Sequence, residues 1–291
     1  MPLSYCPGCR EATAKATRDV AETRVFGEQA RMVGPDELVS ETARALGFLS
    51  RIPMPARFFV GHDGSMRTTS GTFAVAGALI ALPPALLFGI FLYFGVKAEL
   101  AALLSLALQI LLTGGLHEDG LADCADGLGG GRTRERMLEI MKDSRLGAYG
   151  GLALILSLGL RTEALAGIAS LGPLAAGLAM VGINAASRAA LVWHWSALPP
   201  ARADGVAAAV GQPDAAALKT ALITGGLIYA LTILPGLGAG PAIAGAIVAG
   251  LAIALFTRLV HGKIQGHTGD TLGATEQICE IALCVALAVA V

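Results

Sequence analysis

The chain has 291 residues, 54% of them hydrophobic and only 15% charged, with 21 basic side chains against 22 acidic ones. Soluble domains carry about 25% charged residues, so this composition excludes an ordinary water-soluble fold. A net charge of −1 gives nucleic acid no global attraction and leaves any anion site to local chemistry.

Residues 1–37 are polar, lack the apolar core of a secretory signal, and read as a disordered or loosely helical extension. Cys6 and Cys9 form a C-x-x-C, but no second pair or histidine follows at zinc spacing. Cys124, Cys279 and Cys284 read as small core residues. From residue 38 to the end the chain reads as one membrane-embedded domain. Leu38, Val39, Thr42, Ala45, Leu46 and Leu49 recur at helical spacing and predict an amphipathic helix, which Pro53 and Pro55 close. Uncharged stretches follow at 68–96, 100–116, 164–187 and 220–257, the last broken at Pro235-Gly236 and Gly240-Pro241. Runs of this length predict helices in lipid. A short or re-entrant span is expected from Leu146 to Leu160, and a final apolar helix reaches Val291. The expected fold is therefore all-α, a polytopic integral membrane helix bundle of about seven transmembrane spans. Trp193 and Trp195 fall where interfacial aromatics belong.

With the N-terminus inside, the polar loops 114–148, 188–219 and 258–276 share the inner face. They hold Arg132, Arg134, Arg136, Lys142, Arg145, Arg188, Arg202, Lys219, Arg258 and Lys263, whereas the opposite turns hold Lys97 and Arg161. This asymmetry obeys the positive-inside rule and lets the loops converge on one cytoplasmic site.

The chemistry concentrates in residues 116–131, LHEDGLADCADGLGGG. Glu118, Asp119, Asp123 and Asp126 place four carboxylates directly after an apolar run. Asp119, Asp123 and Asp126 fall within about 60° on one helical face, where like charges repel. A divalent cation would remove that repulsion, and hard oxygen ligands favour Mg²⁺, Mn²⁺ or Ca²⁺ over zinc. Gly129, Gly130 and Gly131 would let backbone amides approach an anion, and Arg132, Arg134 and Arg136 would clamp phosphate oxygens. The pattern suggests metal-assisted phosphoryl chemistry; the plain alternative is a solvated acidic loop with a glycine hinge. His117, beside the carboxylates, is open to reading as base, ligand or neighbour. Further on, Gly262–Ala274 could bring Asp270 to a metal and Lys263 to a phosphate, or simply return the chain to the membrane. Glu276 and Glu280 at the head of the last helix could merely favour its dipole. Arg188 and Arg202 read equally as substrate ligands or as arginines that snorkel to headgroups. The helix expected over 133–142 could rest its Met137, Leu138 and Met141 on an apolar surface and act as a cover hinged at Gly129–Gly131 and Gly147.

Residues 114–123, GGLHEDGLAD, with Asp126-Gly127 and Gly129–Gly131, resemble the signature of the cobalamin synthases, the adenosylcobinamide-GDP ribazoletransferase family. The likeness continues through Arg136, Leu138–Arg145 and Gly147, through Ser187-Arg188 and Ala201–Gly205, and through Thr268-Gly269-Asp270 with Leu272-Gly273-Ala274. It implies a bacterial inner-membrane enzyme that uses Mg²⁺ and faces the cytoplasm. Its substrates would be adenosylcobinamide-GDP and α-ribazole or its 5′-phosphate, with GMP released. On this resemblance, Asp119, Asp123, Asp126 and His117 are the catalytic candidates. Glu118, Asp119, Asp123, Asp126, Asp143 and Asp270 are the metal candidates. Gly129–Gly131, Arg132, Arg136, Arg145, Arg188, Arg202 and Lys263 are the substrate candidates. A CDP-alcohol phosphotransferase also uses an aspartate-rich helix, but with an Ala-Arg pair where this chain has Leu121-Ala122. A cation-coupled transporter would use intramembrane carboxylates without a phosphate-type Gly/Arg segment. Oligomeric state is not encoded in any of these patterns.

Overall fold

A computed structural model describes residues 34–143, 145–202 and 210–291. Cys6, Cys9, Ser144 and the 203–205 part of the second loop lie outside the described residues. The chain divides into units 1–38 and 39–291, and the second unit carries everything discussed below.

The helices, in chain order, are α1 (Pro35–Leu49), α2 (Phe73–Tyr93), α3 (Ala98–Thr113), α4 (Leu116–Gly130), α5 (Arg134–Ile140) and α6 (Ala148–Ile168). They continue with α7 (Pro173–Ala197), α8 (Ala215–Leu237), α9 (Ala239–Ile264) and α10 (Gly269–Val289). Among the described residues there is no strand, only one parallel bridge between Pro200 and His267. Among the described residues six helices are long and apolar enough to cross a membrane, and there are seven if α3 and α4, bent by 90°, count as one broken span. The all-α polytopic bundle expected from the composition is the fold observed.

Helix α7 is the central post, packed against α2, α8 and α10. Its small side chains explain why. Ala176, Ala179, Ala185 and Ala189 are all buried and let neighbouring backbones approach. The large aliphatics turn the other way: Leu82, Leu86, Ile155, Leu227, Leu231, Leu251 and Leu255 are exposed on the bundle's outside, where lipid replaces water as their solvent. Buried Cys124, Cys279 and Cys284 are free thiols within the packing, as their surroundings in sequence predict.

The third span departs from expectation. Instead of stopping at Leu160, α6 runs on through Arg161 and Glu163 to Ile168, and the chain turns at Gly172 (φ +98°). Arg161 is not in an outer turn. It is about 20 Å along the helix at 1.5 Å per residue and 1% exposed. A charge ends a span only where it cannot be matched, and here carboxylates from α4 and α10 match it. Trp195 also departs from expectation, lying wholly buried rather than at an interface.

Two elements set the position of the acidic helix. Gly114 and Gly115 both adopt left-handed backbone (φ +68° and +71°), which glycine tolerates without strain and which turns α4 away from α3. Gly120 of α4 then meets Gly273 of α10 so closely that a Cβ on Gly120 would lie 2.9 Å from the Asp270 carbonyl oxygen. Any larger side chain would push the two helices, and their carboxylates, apart.

Candidate active site

Helix α4 presents its four carboxylates to four different surroundings. Asp126 is buried at the start of α6, where its oxygens accept from the amides of Gly147 (2.7 Å) and Gly150 (2.9 Å). This is the positive end of the α6 dipole, so the carboxylate is held as a helix cap. A Cβ on either glycine would run into Asp126, which is why both positions lack one. Glu118 points into the bundle and accepts from Arg161 Nη2 (3.3 Å) and Gln277 Nε2 (3.2 Å). Asp119 and Asp123 remain at the mouth, exposed and half-buried respectively.

Across from them stands Asp270, in the first turn of α10. Thr268 caps that helix in a reciprocal capping box with Thr271, and its hydroxyl donates to Asp270 Oδ2 (3.1 Å). Arg202 Nη2 lies 3.9 Å from the same oxygen. Asp123 is repelled by Asp119, Asp270, Asp126 and Asp143 together. Among the described residues no three acidic, histidine or cysteine side chains converge as a closed metal cage. The site is an acidic mouth.

Two clefts open on this mouth. One, of about 750 Å³, runs past Ser50, Arg51, Gly114, Glu118, Asp123 and Leu146. The other, of about 490 Å³, is lined by His117, Leu191, Trp195, Arg202, His267 and Asp270, among others. Asp119 lines both, with Phe48 and Leu116 completing the ridge between them.

Beneath the mouth lies a polar cluster that spacing alone did not assemble. Arg161 binds Glu118 and Glu280, the latter at 3.3 Å. Arg188 pairs with Glu276, lies 3.8 Å from Glu280, and donates to Asn184 Oδ1 at 2.6 Å. Gln109 donates to both oxygens of Glu280 (3.0 and 3.1 Å). Gln277 bridges Glu118 and Glu276, and Ser157 donates to Gln277. His117 Nδ1 is 3.9 Å from Glu276. One signal was available: Glu276, Gln277 and Glu280 share a face of an otherwise apolar helix, and such a face in lipid demands partners. Arg188 is thus an interior ion-pair residue, neither at the mouth nor at the headgroups.

The remaining candidates scatter. Gly129 and Gly130 form the last turn of α4 and Gly131 is its C-cap. Gly129 packs against Tyr149, Gly130 against Ile140 and Gly131 against Met137, at the negative end of the helix dipole rather than in an open loop. Lys263 Nζ donates to the Leu128 carbonyl at that same end. Arg134 ties α5 down, donating to the carbonyls of Ile264 (2.9 Å) and Ala201 (2.5 Å). With Met137, Leu138 and Met141 buried beneath it, α5 is an anchored helix, and the glycines that were to hinge it are filled against their neighbours. Arg132 is exposed, Arg136 pairs with Glu139 at the surface, and Arg145 chelates Asp143, holding that carboxyl below its usual range.

In the loop before α10, His267 is 1% exposed, and its Nδ1 lies 2.9 Å from the Leu198 carbonyl. A carbonyl can only accept, so Nδ1 carries the hydrogen. Burial lowers the imidazole's pKa against the opposing pull of its bonds to Leu198 and Pro199, and the ring is neutral.

The fold and site define a polytopic helical membrane protein with a carboxylate-lined mouth between two clefts. The particular family follows from comparison. Cobalamin-5-phosphate synthase is the family whose pattern matches residues 41–288. The adenosylcobinamide-GDP ribazoletransferase of Rhizobium johnstonii is 53% identical over 253 residues, covering 86% of this chain and 96% of that protein. The proteins of the same name from Rhizobium meliloti and Bradyrhizobium diazoefficiens are 48% and 47% identical. They cover 88% and 84% of this chain, and 98% and 92% of their own lengths. No solved structure matches. The chain belongs to the cobalamin-5-phosphate synthase family.

Proposed function

We propose that this protein is an adenosylcobinamide-GDP ribazoletransferase of the bacterial inner membrane, with its acidic mouth on the cytoplasmic side. The observation that carries the reading is that one carboxylate, Asp119, faces both clefts, so two substrates can meet across it. The family match favours this over a CDP-alcohol phosphotransferase or a transporter. The excess of Arg and Lys in loops on the side of α4 supports the orientation.

In the reaction, the ribose 3′-hydroxyl of α-ribazole, or of its 5′-phosphate, attacks the phosphorus bonded to the cobinamide side chain. A new P–O bond forms there as the bond to the GMP phosphate breaks, and GMP leaves with the electron pair. Asp119 orients the hydroxyl and accepts its proton. Arg202 lies beside Asp270 with Nε and Nη2 lacking hydrogen-bond partners, ready to meet diphosphate oxygens. Arg132, exposed at the end of α4, is a further candidate for the same contact.

Mg²⁺ suits this donor set. Asp119, Asp123 and Asp270 are hard oxygen donors that repel one another, and Mg²⁺ characteristically binds one or two carboxylates together with substrate phosphates and water rather than a closed protein cage. When bound it would offset charge on the diphosphate. The fixed helices on either side hold the acceptor and the activated phosphate in one orientation, which is the larger part of catalysis in phosphoryl transfer.

The test is GMP release from adenosylcobinamide-GDP by the purified protein in lipid nanodiscs. Release should require both α-ribazole, or its 5′-phosphate, and Mg²⁺. Release without any acceptor, or transfer unaffected by chelating all divalent cations, would overturn the corresponding part of the reading.

A further inference from the structure

The residues lining the 490 Å³ cavity carry five buried polar atoms without partners, among them Trp195 Nε1 and His267 Nε2, the others being His117 Nε2 and Arg202 Nε and Nη2. The Trp195 and His267 side chains are almost fully buried, and their rings meet edge to face with centroids 6.4 Å apart. A buried polar atom without a partner is costly, and native structures keep few. Their chemistry is complementary. Trp195 Nε1–H can only donate. His267 donates through Nδ1 to Leu198, so the neutral ring leaves Nε2 as an acceptor. Around them the walls are apolar and partly aromatic: Phe48, Leu49, Leu191 and Leu272. The same cavity is also lined by Arg202, Asp119 and Asp270. The size lies within the range of small-ligand sites, roughly 300–1,000 Å³.

We infer that this cavity receives the guanine base of the nucleotide that leaves, read along its lactam edge by Trp195 and His267. This rests on the ribazoletransferase reading, which supplies the two candidate bases. Guanine presents a carbonyl oxygen beside a ring N–H, one acceptor for Trp195 and one donor for His267. The benzimidazole of α-ribazole carries ribose on one ring nitrogen and offers only a bare acceptor on the other, so it would leave His267 Nε2 unmatched. A base seated here points its phosphates toward Arg202 and the carboxylates. The larger cleft across Asp119 is then left for the acceptor. His117 Nε2, also unpartnered and lining the cavity, sits on the α4 wall beside the carboxylates and is a contact for the ribose or phosphate end rather than for the base edge.

The measurement is calorimetric binding of GMP and of 1-methyl-GMP, which lacks the ring N–H, to the full-length protein in nanodiscs. The unaltered protein should bind GMP roughly tenfold more tightly than 1-methyl-GMP, the worth of about one buried hydrogen bond. Trp195→Phe and His267→Gln should each weaken GMP several-fold, and His267→Gln should narrow the preference over 1-methyl-GMP. In turnover the same variants should raise KM for adenosylcobinamide-GDP and leave KM for α-ribazole unchanged. Equal binding of the two nucleotides by the unaltered protein overturns the assignment without any variant having to fold. So does a rise in KM for α-ribazole alone, which would give the cavity to the acceptor. Normal transfer with both KM values unmoved in both variants defeats the base assignment only. Failure of the unaltered protein to transfer at all defeats the ribazoletransferase reading beneath it.

Discussion

The acidic mouth and the buried polar cluster beneath it share a helix and much the same chemistry, yet they are built on opposite terms. In the cluster, Arg161 and Arg188 meet Glu118, Glu276 and Glu280, and amides from Gln109, Gln277 and Asn184 occupy much of the remaining hydrogen-bonding capacity. At the mouth, Asp119, Asp123 and Asp270 repel one another, and the ion pair recorded there among the described residues is Arg202 with Asp270 at 3.9 Å. The cluster pairs two arginines with three glutamates inside the protein, although Glu118 Oε2, Arg161 Nε and Arg188 Nε keep no hydrogen-bond partner. The mouth, by contrast, is left to be matched by what binds. Charges in lipid must be paired or they end the span, so the cluster fixes how α4, α6, α7 and α10 fit together. The mouth uses that rigidity to hold like charges closer than they would otherwise stay.

The sharpest way to break this contrast is to neutralise each region and compare activity with stability. Asp119→Asn should cut transfer about 100- to 10,000-fold, the usual worth of a positioned acid–base group, while the thermal midpoint holds or rises because repulsion at the mouth is relieved. A loss of stability with activity retained would mean that the mouth is structural. Arg188→Met should do the reverse. It leaves buried Glu276 without its arginine while Glu280 keeps Arg161, and breaking a buried pair costs about 3–5 kcal/mol, read as a large fall in the denaturation midpoint and in the yield of folded protein. If the variant melts normally, the cluster does not hold the bundle together.

Intermediate between them is Asp126, which belongs to the acidic stretch by sequence and to the framework by contact. Gly150→Ala would press a methyl group against Asp126 and the Ala122 carbonyl, with an expected cost of about 1–3 kcal/mol. Asp126→Asn should cost about 1 kcal/mol as a weakened cap, with transfer reduced far less than in Asp119→Asn. A complete and stable loss of turnover in Asp126→Asn would move this residue back into the chemistry. The smallest effect is expected at the surface of α5. Arg136 pairs only with exposed Glu139, so Arg136→Ala should change stability by less than about 0.5 kcal/mol. Its KM for the GDP substrate then reports substrate contact alone.

What the sequence determined by itself was whatever depends on neighbours along the chain. The apolar runs give the membrane bundle, because their length and lack of charge are local properties. The spacing of Asp119, Asp123 and Asp126 gives a helix with acidic faces, and the run GGLHEDGLAD gives the family. Sequence read the amphipathic α1 and the Pro-Gly break between α8 and α9 for the same reason. Where it stumbled, the deciding partner lay far away. Arg161 looked like the end of a span because its matching charges, Glu118 and Glu280, stand 43 and 119 residues distant. Gly129–Gly131 looked like a phosphate loop, but they close the helix and meet Tyr149, Ile140 and Met137 in turn. Trp195 looked interfacial, and only the bundle puts it beside His267 on the wall of the smaller cleft. Nor could the four carboxylates of α4 be told apart, since periodicity places a side chain on a face but does not say what that face meets. The contact between Gly120 and Gly273 decides that: with no side chain at either glycine, α10 comes close enough to set Asp270 opposite Asp119, and residues far apart in the chain become one wall of the site.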